Sequence, residues 1–500
     1  MSFEVLTVPP EQVEADALVV LHEEGGLLAA GGTEEFRAHL EAYARDVEAR
    51  RTRREWFCTL SPAAGCRTRH LLLDSVRFSA PAPHDEPLKT AAARCVATCR
   101  QYSLSRIAFV VHHHLAAEKA AAILEGALLG DFRDVRFKGA GSARDDDPAP
   151  LELLFVTDAE QAAPMEKLLR EREIVAEAQN YARELTNAPH HVLTPAVLAR
   201  EGERLAARHG MEYEKLEGPA LLEAGHEPLW NVGRGSEYPP CLFVLRHKPA
   251  QPAVPFHLCL AGKGMTFDSG GLSIKPSNVM HRMNCDMGGA AAVLGAMEAV
   301  ARMELPVRVT AVVAAAHNAV DGAAYHPGSI LQAKNGKTIY VENTDAEGRL
   351  ILTDCFARAG EEGAEVLWDY ATLTGSVAQA LGPAMAGLFT EDEELRTVLL
   401  EASGNTGDGL WPLPLCREYE PLLKHHLADL NNRPPEVTAG GIHAANFLKA
   451  FVPEGVRWAH LDIAGAAALQ KPRRYFSMGG TGFGVRLTVE AVRLLTQRMG

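Results

Sequence analysis

Positive charge and aromatic rings are both scarce in this chain. Lys and Arg number 50 against 64 Asp and Glu, a formal net charge of −14, and aromatics make up 6% of 500 residues. A chain built to lie along nucleic acid needs clustered cations that displace counterions, so this balance argues against a nucleic-acid partner as a class and favours small or peptidic substrates. No apolar run approaches the roughly 18 residues of a membrane helix. The start, Met1-Ser2-Phe3-Glu4-Val5-Leu6-Thr7-Val8-Pro9, has no basic stretch followed by an apolar one, so no export signal and no membrane partner are expected and the location is read as cytoplasmic. Nine cysteines, an odd number, show no paired spacing and read as reduced thiols. Cys95 and Cys99 are four apart without a second pair, which is structural spacing and not a zinc ribbon. Also missing are the G-x-x-x-x-G-K-[ST] phosphate loop, the G-x-S-x-G nucleophile elbow and the H-E-x-x-H zinc helix. His112-His113-His114 cannot turn three consecutive side chains toward one ion and reads as a surface turn. Asp145-Asp146-Asp147-Pro148 reads as a solvated loop.

Apolar residues, by contrast, make up 47% of the chain, enough for two large cores. Strand signals at Phe3 to Val8, Ala17 to His22, Leu71 to Asp74, Ile107 to Val111 and Leu151 to Thr157 describe a modest α/β domain over residues 1–159 that carries no recognisable chemistry. A Glu-, Ala- and Arg-rich helical pattern from Met165 to Leu185, stopped by Pro189, marks a connector over 160–186. Over 187–500 strands and helices alternate: Phe256 to Ala261, Val307 to Ala316, Thr338 to Val341 and Val366 to Tyr370 as strands, Gly288 to Met303 and Gly348 to Ala359 as helices. The predicted fold is therefore α/β in two domains. The smaller lies at the amino terminus, and the larger has a central mixed, largely parallel sheet flanked by helices.

Chemistry concentrates in three segments. Asn343-Thr344-Asp345-Ala346-Glu347-Gly348-Arg349 places two carboxylates and a guanidinium between a β-branched strand and a helix, where open α/β sheets hold ligands. Gly262-Lys263-Gly264 through Asp268-Ser269-Gly270-Gly271 to Lys275-Pro276 follows the strand ending at Ala261, and its glycines admit close approach. Asn284-Cys285-Asp286-Met287-Gly288-Gly289 puts an acid just before a small-residue helix, where alone it would read as a helix cap. Together Asp268, Asp286, Asp345 and Glu347 would gather four carboxylates in one crevice. Charges that close cannot all stay ionised without cations between them, and two divalent metals resolve the conflict. Oxygen ligands without histidine accept Mg²⁺, Mn²⁺ or Zn²⁺. Lys263 and Lys275 can offset the acids or, deprotonated, ligate, while Arg349 offers a planar fork for an oxyanion. Such a centre suits hydrolysis by an activated water. Ser269 lacks the neighbouring base a nucleophile requires.

From about Asn187 to Leu487 these segments resemble the leucyl aminopeptidase family of dinuclear metallopeptidases, the cytosol aminopeptidases. Ala371-Thr372-Leu373-Thr374-Gly375 and Trp458-Ala459-His460-Leu461-Asp462-Ile463-Ala464-Gly465 add to the likeness. The resemblance implies a two-domain enzyme that removes an apolar amino-terminal residue, Leu by preference, from peptides. It implies two Mn²⁺ or Zn²⁺ ions bridged by Asp268 and Glu347. Lys263 and Asp286 would complete the tighter site and Asp345 the more exchangeable one. Lys275 would polarise the carbonyl, and Arg349 would hold a bicarbonate as general base. Met283, Thr372 and Gly375 would line the side-chain pocket, His425, His426 and His443 would stay structural, and the subunits would form a homohexamer. The rival functions are a DNA-binding or assembly protein, since some family members bind DNA, and a dinuclear phosphoesterase.

Overall fold

The computed structural model describes residues 2–23, 34, 36, 38, 40, 41, 55–59, 66–76, 85–111, 117–139, 149–254, 256–435 and 438–499. The His112-His113-His114 run and Asp145-Asp146-Asp147 lie outside them. The chain forms two compact units, Met1–Glu177 with Pro472–Ser477, and Ala178–Lys471 with Met478–Gly500. The division falls inside one helix, Ala159–Asn187, which contains Pro164 and starts six residues ahead of the helical pattern read from Met165.

The first unit is a six-stranded sheet: β1 (Ser2–Leu6), β2 (Ala17–Glu23), β3 (Glu55–Thr59), β4 (His70–Val76), β5 (Arg106–Val110) and β6 (Glu152–Val156), ordered β1-β6-β5-β2-β4-β3. All neighbours run parallel except β3 against β4. Apolar residues of β2, β5 and β6 share a core with helices Glu86–Gln101 and Ala117–Gly130. Cys95 and Cys99 are buried in it as free thiols. Tyr475 and Arg474 come from the late segment and belong to this unit. The Tyr475 hydroxyl donates to Glu86 Oε1 at 2.8 Å, and Arg474 pairs with Glu86 Oε2 at 2.6 Å.

The second unit contains β7 (Glu212–Glu217), β8 (Cys241–His247), β9 (His257–Asp268), β10 (Arg308–Asn318), β11 (Ile330–Gln332), β12 (Thr338–Tyr340), β13 (Val366–Ala371), β14 (Met385–Phe389), β15 (Gly409–Pro412), β16 (Leu430–Asn431) and β17 (Arg457–Asp462). Eight of these form one sheet, β15-β14-β17-β13-β9-β10-β8-β7. Its centre, β17-β13-β9-β10, is parallel, and β8 and β14 join it antiparallel. A buried parallel centre with antiparallel margins is the mixed sheet expected.

Two expectations change here. The strand read as ending at Ala261 runs on to Asp268, so Gly262 and Gly264 are strand residues. A Cβ on Gly262 would stand 2.9 Å from Ala290 Cα of helix Gly288–Arg302, and one on Gly264 2.6 Å from the Ala314 carbonyl of β10. These glycines serve close packing and not a loop. β12, read as feeding the acidic turn from the main sheet, belongs instead to a separate three-stranded sheet, β11-β12-β16. Helix Gly288–Arg302 covers one face of β9. On the other face Cys259 and Ala261 share a core with Leu350, Ile351 and Phe356 of helix Gly348–Glu361. Among the described residues no helix is long and apolar enough to cross a membrane.

Candidate metal centre

β9 delivers two of the expected residues. Lys263 lies buried in mid-strand and Asp268 ends it. Beyond Asp268 the chain turns through Gly270 (φ 86°) and Gly271 (φ 64°), left-handed positions that favour glycine. A Cβ on Gly270 would meet the Ser273 carbonyl at 2.5 Å and Asp345 Oδ1 at 2.9 Å. The turn closes when Lys275 N donates to the Ser269 carbonyl at 2.9 Å, which sends the Lys275 side chain back to the acids. Thr344 links this turn to the Asn343–Arg349 segment: its hydroxyl donates to the Gly270 carbonyl at 2.7 Å and accepts from Ser273 N at 2.8 Å. Ser269 Oγ accepts from Gly271 N at 3.1 Å, a turn contact.

Asp286 is not a helix cap. It sits in a 3-10 turn, Met283–Met287, while Met287 holds the cap position of the next helix without a side-chain bond. Its Oδ1 accepts instead from Lys263 Nζ at 2.9 Å and the Thr372 hydroxyl at 2.7 Å. Lys263 Nζ also lies 2.9 Å from Glu347 Oε1 and donates to the Thr372 carbonyl at 2.9 Å. Glu347 occupies the position before helix Gly348–Glu361, where the helix dipole favours a carboxylate. At Gly348 a Cβ would strike Lys263 Cε at 2.5 Å, so the glycine lets the lysine pass under the helix end. Lys275 Nζ lies 2.6 Å from Asp268 Oδ2 and also bonds Asp345. Asp268 Oδ1 accepts from Asn318 Nδ2 at 2.8 Å and Gly270 N at 2.9 Å.

Ligand atoms of Asp268, Asp286 and Glu347 all lie within 4.8 Å of one another, and all three residues are buried. Asp345 is peripheral, its side chain 34% exposed. Four carboxylates face two ammonium groups, leaving two negative charges in excess. The strain shows in the acids. Burial, reinforced by Glu347, pushes the Asp268 carboxyl well up, and Asp345 rises for the same reasons. Burial pushes Asp286 up to about 6 against the opposing pull of Lys263. Burial would also raise Glu347, but Lys263 and Lys275 outweigh it and hold that carboxyl below its ordinary range. Burial disfavours both lysine charges, yet the acids hold both ammonium groups above their usual range. Glu347 Oε2 is buried without a hydrogen-bond partner, which a carboxylate oxygen rarely tolerates. A cluster of oxygens, one orphaned, beside an amine that can ligate once deprotonated fits a dication.

The remaining expected residues surround this group. Thr372 follows β13 and touches Asp286. Gly375 opens helix Gly375–Leu381, is exposed, and a Cβ there would meet nothing within 4 Å. Met283 is half-buried, three residues before Asp286. Arg349 is buried, and its Nη1 donates to the Asn432 carbonyl at 2.7 Å, while Nε has no partner. Burial, eased by Glu347, pushes its pKa down to about 10, so it stays cationic at neutral pH. His425 stacks on Tyr340 at 3.8 Å and His443 packs near Tyr419 at 5.2 Å. Neither belongs to the acidic group, nor does His426.

Three supporting residues escaped the sequence reading. Asn318 steadies Asp268. Asp462, inside the Trp458–Gly465 segment, accepts from the Thr374 hydroxyl at 2.6 Å and Leu373 N at 3.2 Å, fixing the loop after β13. Asn432 holds Arg349. Being uncharged, Asn318 and Asn432 give no signal of their own in one sequence, and Asp462 could be suspected only from its segment.

The sequence profile of the cytosol aminopeptidase family, catalytic domain, matches residues 180–489. The chain is 39% identical over 480 residues to a protein of Solibacter usitatus described as a probable cytosol aminopeptidase, covering 96% of each. It is 42% identical over 422 residues to a protein of Roseiflexus castenholzii with the same description, covering 83% of this chain and 85% of the other. Among solved structures, the bottromycin maturation enzyme BotP in complex with Mn matches with a TM-score of 0.82 at 33% identity, covering 96% of this chain and all of that one.

Proposed function

Because the chain belongs to the cytosol aminopeptidase family and is a metal-dependent aminopeptidase, a metallo-exopeptidase, we propose that it releases the amino-terminal residue of peptides at a dinuclear centre. Its ligands would be Lys263, Asp268, Asp286, Asp345 and Glu347. The observation that carries this reading is the buried Asp268, Asp286 and Glu347 group, with ligand atoms within 4.8 Å and one Glu347 oxygen lacking a protein donor. Two dications held there would supply Lewis acidity to the scissile carbonyl and acidify a water between them.

Asp268 and Glu347 would bridge, since each is buried and each faces one of the two lysines. Lys263 and Asp286 would complete the tighter site, with Lys263 as a neutral amine once dications replace its proton. Asp345, the half-buried acid, would complete the exchangeable site. Lys275 would keep its proton and donate to the carbonyl oxygen as negative charge develops there. Arg349, cationic and with one buried donor to spare, would hold bicarbonate as the general base. Met283, Thr372 and the open space beside Gly375 would receive the first side chain, with Leu or another apolar residue preferred. Mn²⁺ is the first metal to try, given the Mn complex of BotP, and Zn²⁺ the second. By the same family likeness the enzyme would be a cytoplasmic homohexamer, and light scattering reads its mass directly.

The test is release of leucine from leucyl amide by chelator-stripped protein resupplied with Mn²⁺ or Zn²⁺. Turnover is expected only with metal, and an N-acetylated substrate should be inert because it cannot offer a free amine. No turnover across a panel of aminoacyl amides with either metal would reject the reading.

A further inference from the structure

The turn from Glu342 to Arg349 carries three of the residues assigned above, and one buried amide ties it together. Asn432 has no exposed surface and directly follows β16. Its Oδ1 accepts from Glu342 N at 2.9 Å and Asn343 N at 3.2 Å. Its Nδ2 donates to the Asn343 carbonyl at 2.7 Å and the Ala346 carbonyl at 3.3 Å. Its main-chain N–H donates to the Tyr340 carbonyl at 2.9 Å, and its carbonyl accepts from Arg349 Nη1 at 2.7 Å. The side chain thus uses both donors and both lone pairs of an amide on one stretch of backbone. The two donor contacts fall on either side of Asp345, so the amide spans the turn over the acid that it carries. An aspartate could accept the two N–H groups but could not donate to the two carbonyls, and an alanine could do neither.

We infer that Asn432 is a positioning residue for the reaction. Its amide sets the spacing of Asp345 and Glu347, and its carbonyl anchors Arg349 through one nitrogen while Nε is left for a ligand. Outer partners that orient metal ligands act in this way without touching the metal. The inference rests on the metal-centre reading above, and its test separates the two.

Asn432→Asp and Asn432→Ala would be made in the full chain beside a control, Asn446→Ala. Asn446 is another buried asparagine, whose Nδ2 donates to the Cys416 carbonyl at 2.7 Å away from the acids. The stripped proteins would be titrated with Mn²⁺ against a fluorescent chelator, and leucyl amide kinetics measured at saturating Mn²⁺. Both Asn432 variants should bind Mn²⁺ about 10- to 100-fold more weakly. They should also lose kcat, with KM changed by less than about threefold, the split expected when ground-state binding is spared. The control should bind Mn²⁺ as the unaltered protein does, whatever its thermal midpoint. If Asn432→Ala does not fold, the near-isosteric Asn432→Asp carries the test. Asn432→Asp with unaltered Mn²⁺ affinity and kcat would overturn the positioning role alone. An unaltered chain that takes up no Mn²⁺ would overturn the metal centre and this inference with it.

Discussion

Both units bury lysine against glutamate, but with opposite balances. In the first, Lys89 lies 2.8 Å from Glu125 with both side chains nearly sealed from solvent, and Arg172 approaches the same acid at 3.8 Å. There two cations approach one acid. In the second, Lys263 and Lys275 face Asp268, Asp286, Asp345 and Glu347, and the acids exceed the cations. A buried pair at best breaks even against its desolvation, and a buried surplus of one sign is costly unless a ligand completes it. What separates a structural charge from a functional one in this chain is therefore the remainder after pairing, and not burial.

The comparison breaks most readily at Glu125. Glu125→Ala would remove the buried carboxylate 2.8 Å from Lys89 and should cost about 3–5 kcal/mol of stability, read by urea unfolding. Mn²⁺ uptake per folded chain should match the unaltered protein, since the altered charge belongs to the other unit. Reduced uptake would mean that the two balances are not independent. Glu347→Gln probes the other side. It removes one of the charges to which the metals would answer, and losing a ligand should exceed the roughly 100-fold upper cost of losing an outer partner. Metal content, by elemental analysis of the purified protein, should fall together with activity. Metal content equal to the unaltered protein's would remove Glu347 as a bridge. Lys275→Ala should sharpen the distinction between ligand and donor: metals are retained while kcat drops about 10²-fold, or roughly 2.7 kcal/mol. A turnover rate within error of the unaltered enzyme would take Lys275 out of the reaction.

The parallel core was readable because buried apolar runs and chemistry coincide there. Val307 to Ala316 overlaps β10 in all but its first residue, and Gly348 to Ala359 is contained in its helix. β17 was not read as a strand, because Trp458, His460 and Asp462 put polar atoms on one face. His460 Nδ1 bonds Asp369 of β13 at 2.6 Å and Trp458 Nε1 donates to the same carboxylate at 2.8 Å, so one acid of the neighbouring strand answers both rings inside the sheet, where a hydropathy pattern does not look for it. β9 was cut short at Ala261 because its glycines read as a loop, when they make room for a helix and a neighbouring strand. The acids and lysines were visible as titratable groups in short motifs. Their ties were not: Arg349 and Asn432 lie 83 positions apart, and Glu86 and Tyr475 lie 389 apart. Pairing at that distance is decided by packing, and nothing local records it.

A third treatment of buried titratable groups, keeping them neutral, gives the smallest effect. His317 precedes Asn318, the residue that steadies Asp268. Its ring packs against Phe267 at 5.3 Å, Tyr238 at 5.6 Å and His190 at 5.6 Å, and its Nδ1 is buried without a partner. Burial, with a smaller push from His190, takes its pKa down to about 4. Between that value and the ordinary one near 6.5, the unfolded chain binds a proton that the folded chain refuses. Stability contributed by His317 is therefore present above about pH 6.5, is lost as pH falls, and levels off below about pH 4. Discounted for partial access to water, the loss from pH 7 to pH 5 should be roughly 1 kcal/mol. His317→Phe keeps a ring in the cluster and removes the titration, so its urea midpoint should fall less over that interval than the unaltered protein's. Equal losses in the two proteins would show that His317 is not held neutral, and the imidazole would then join the charges that the second unit must balance.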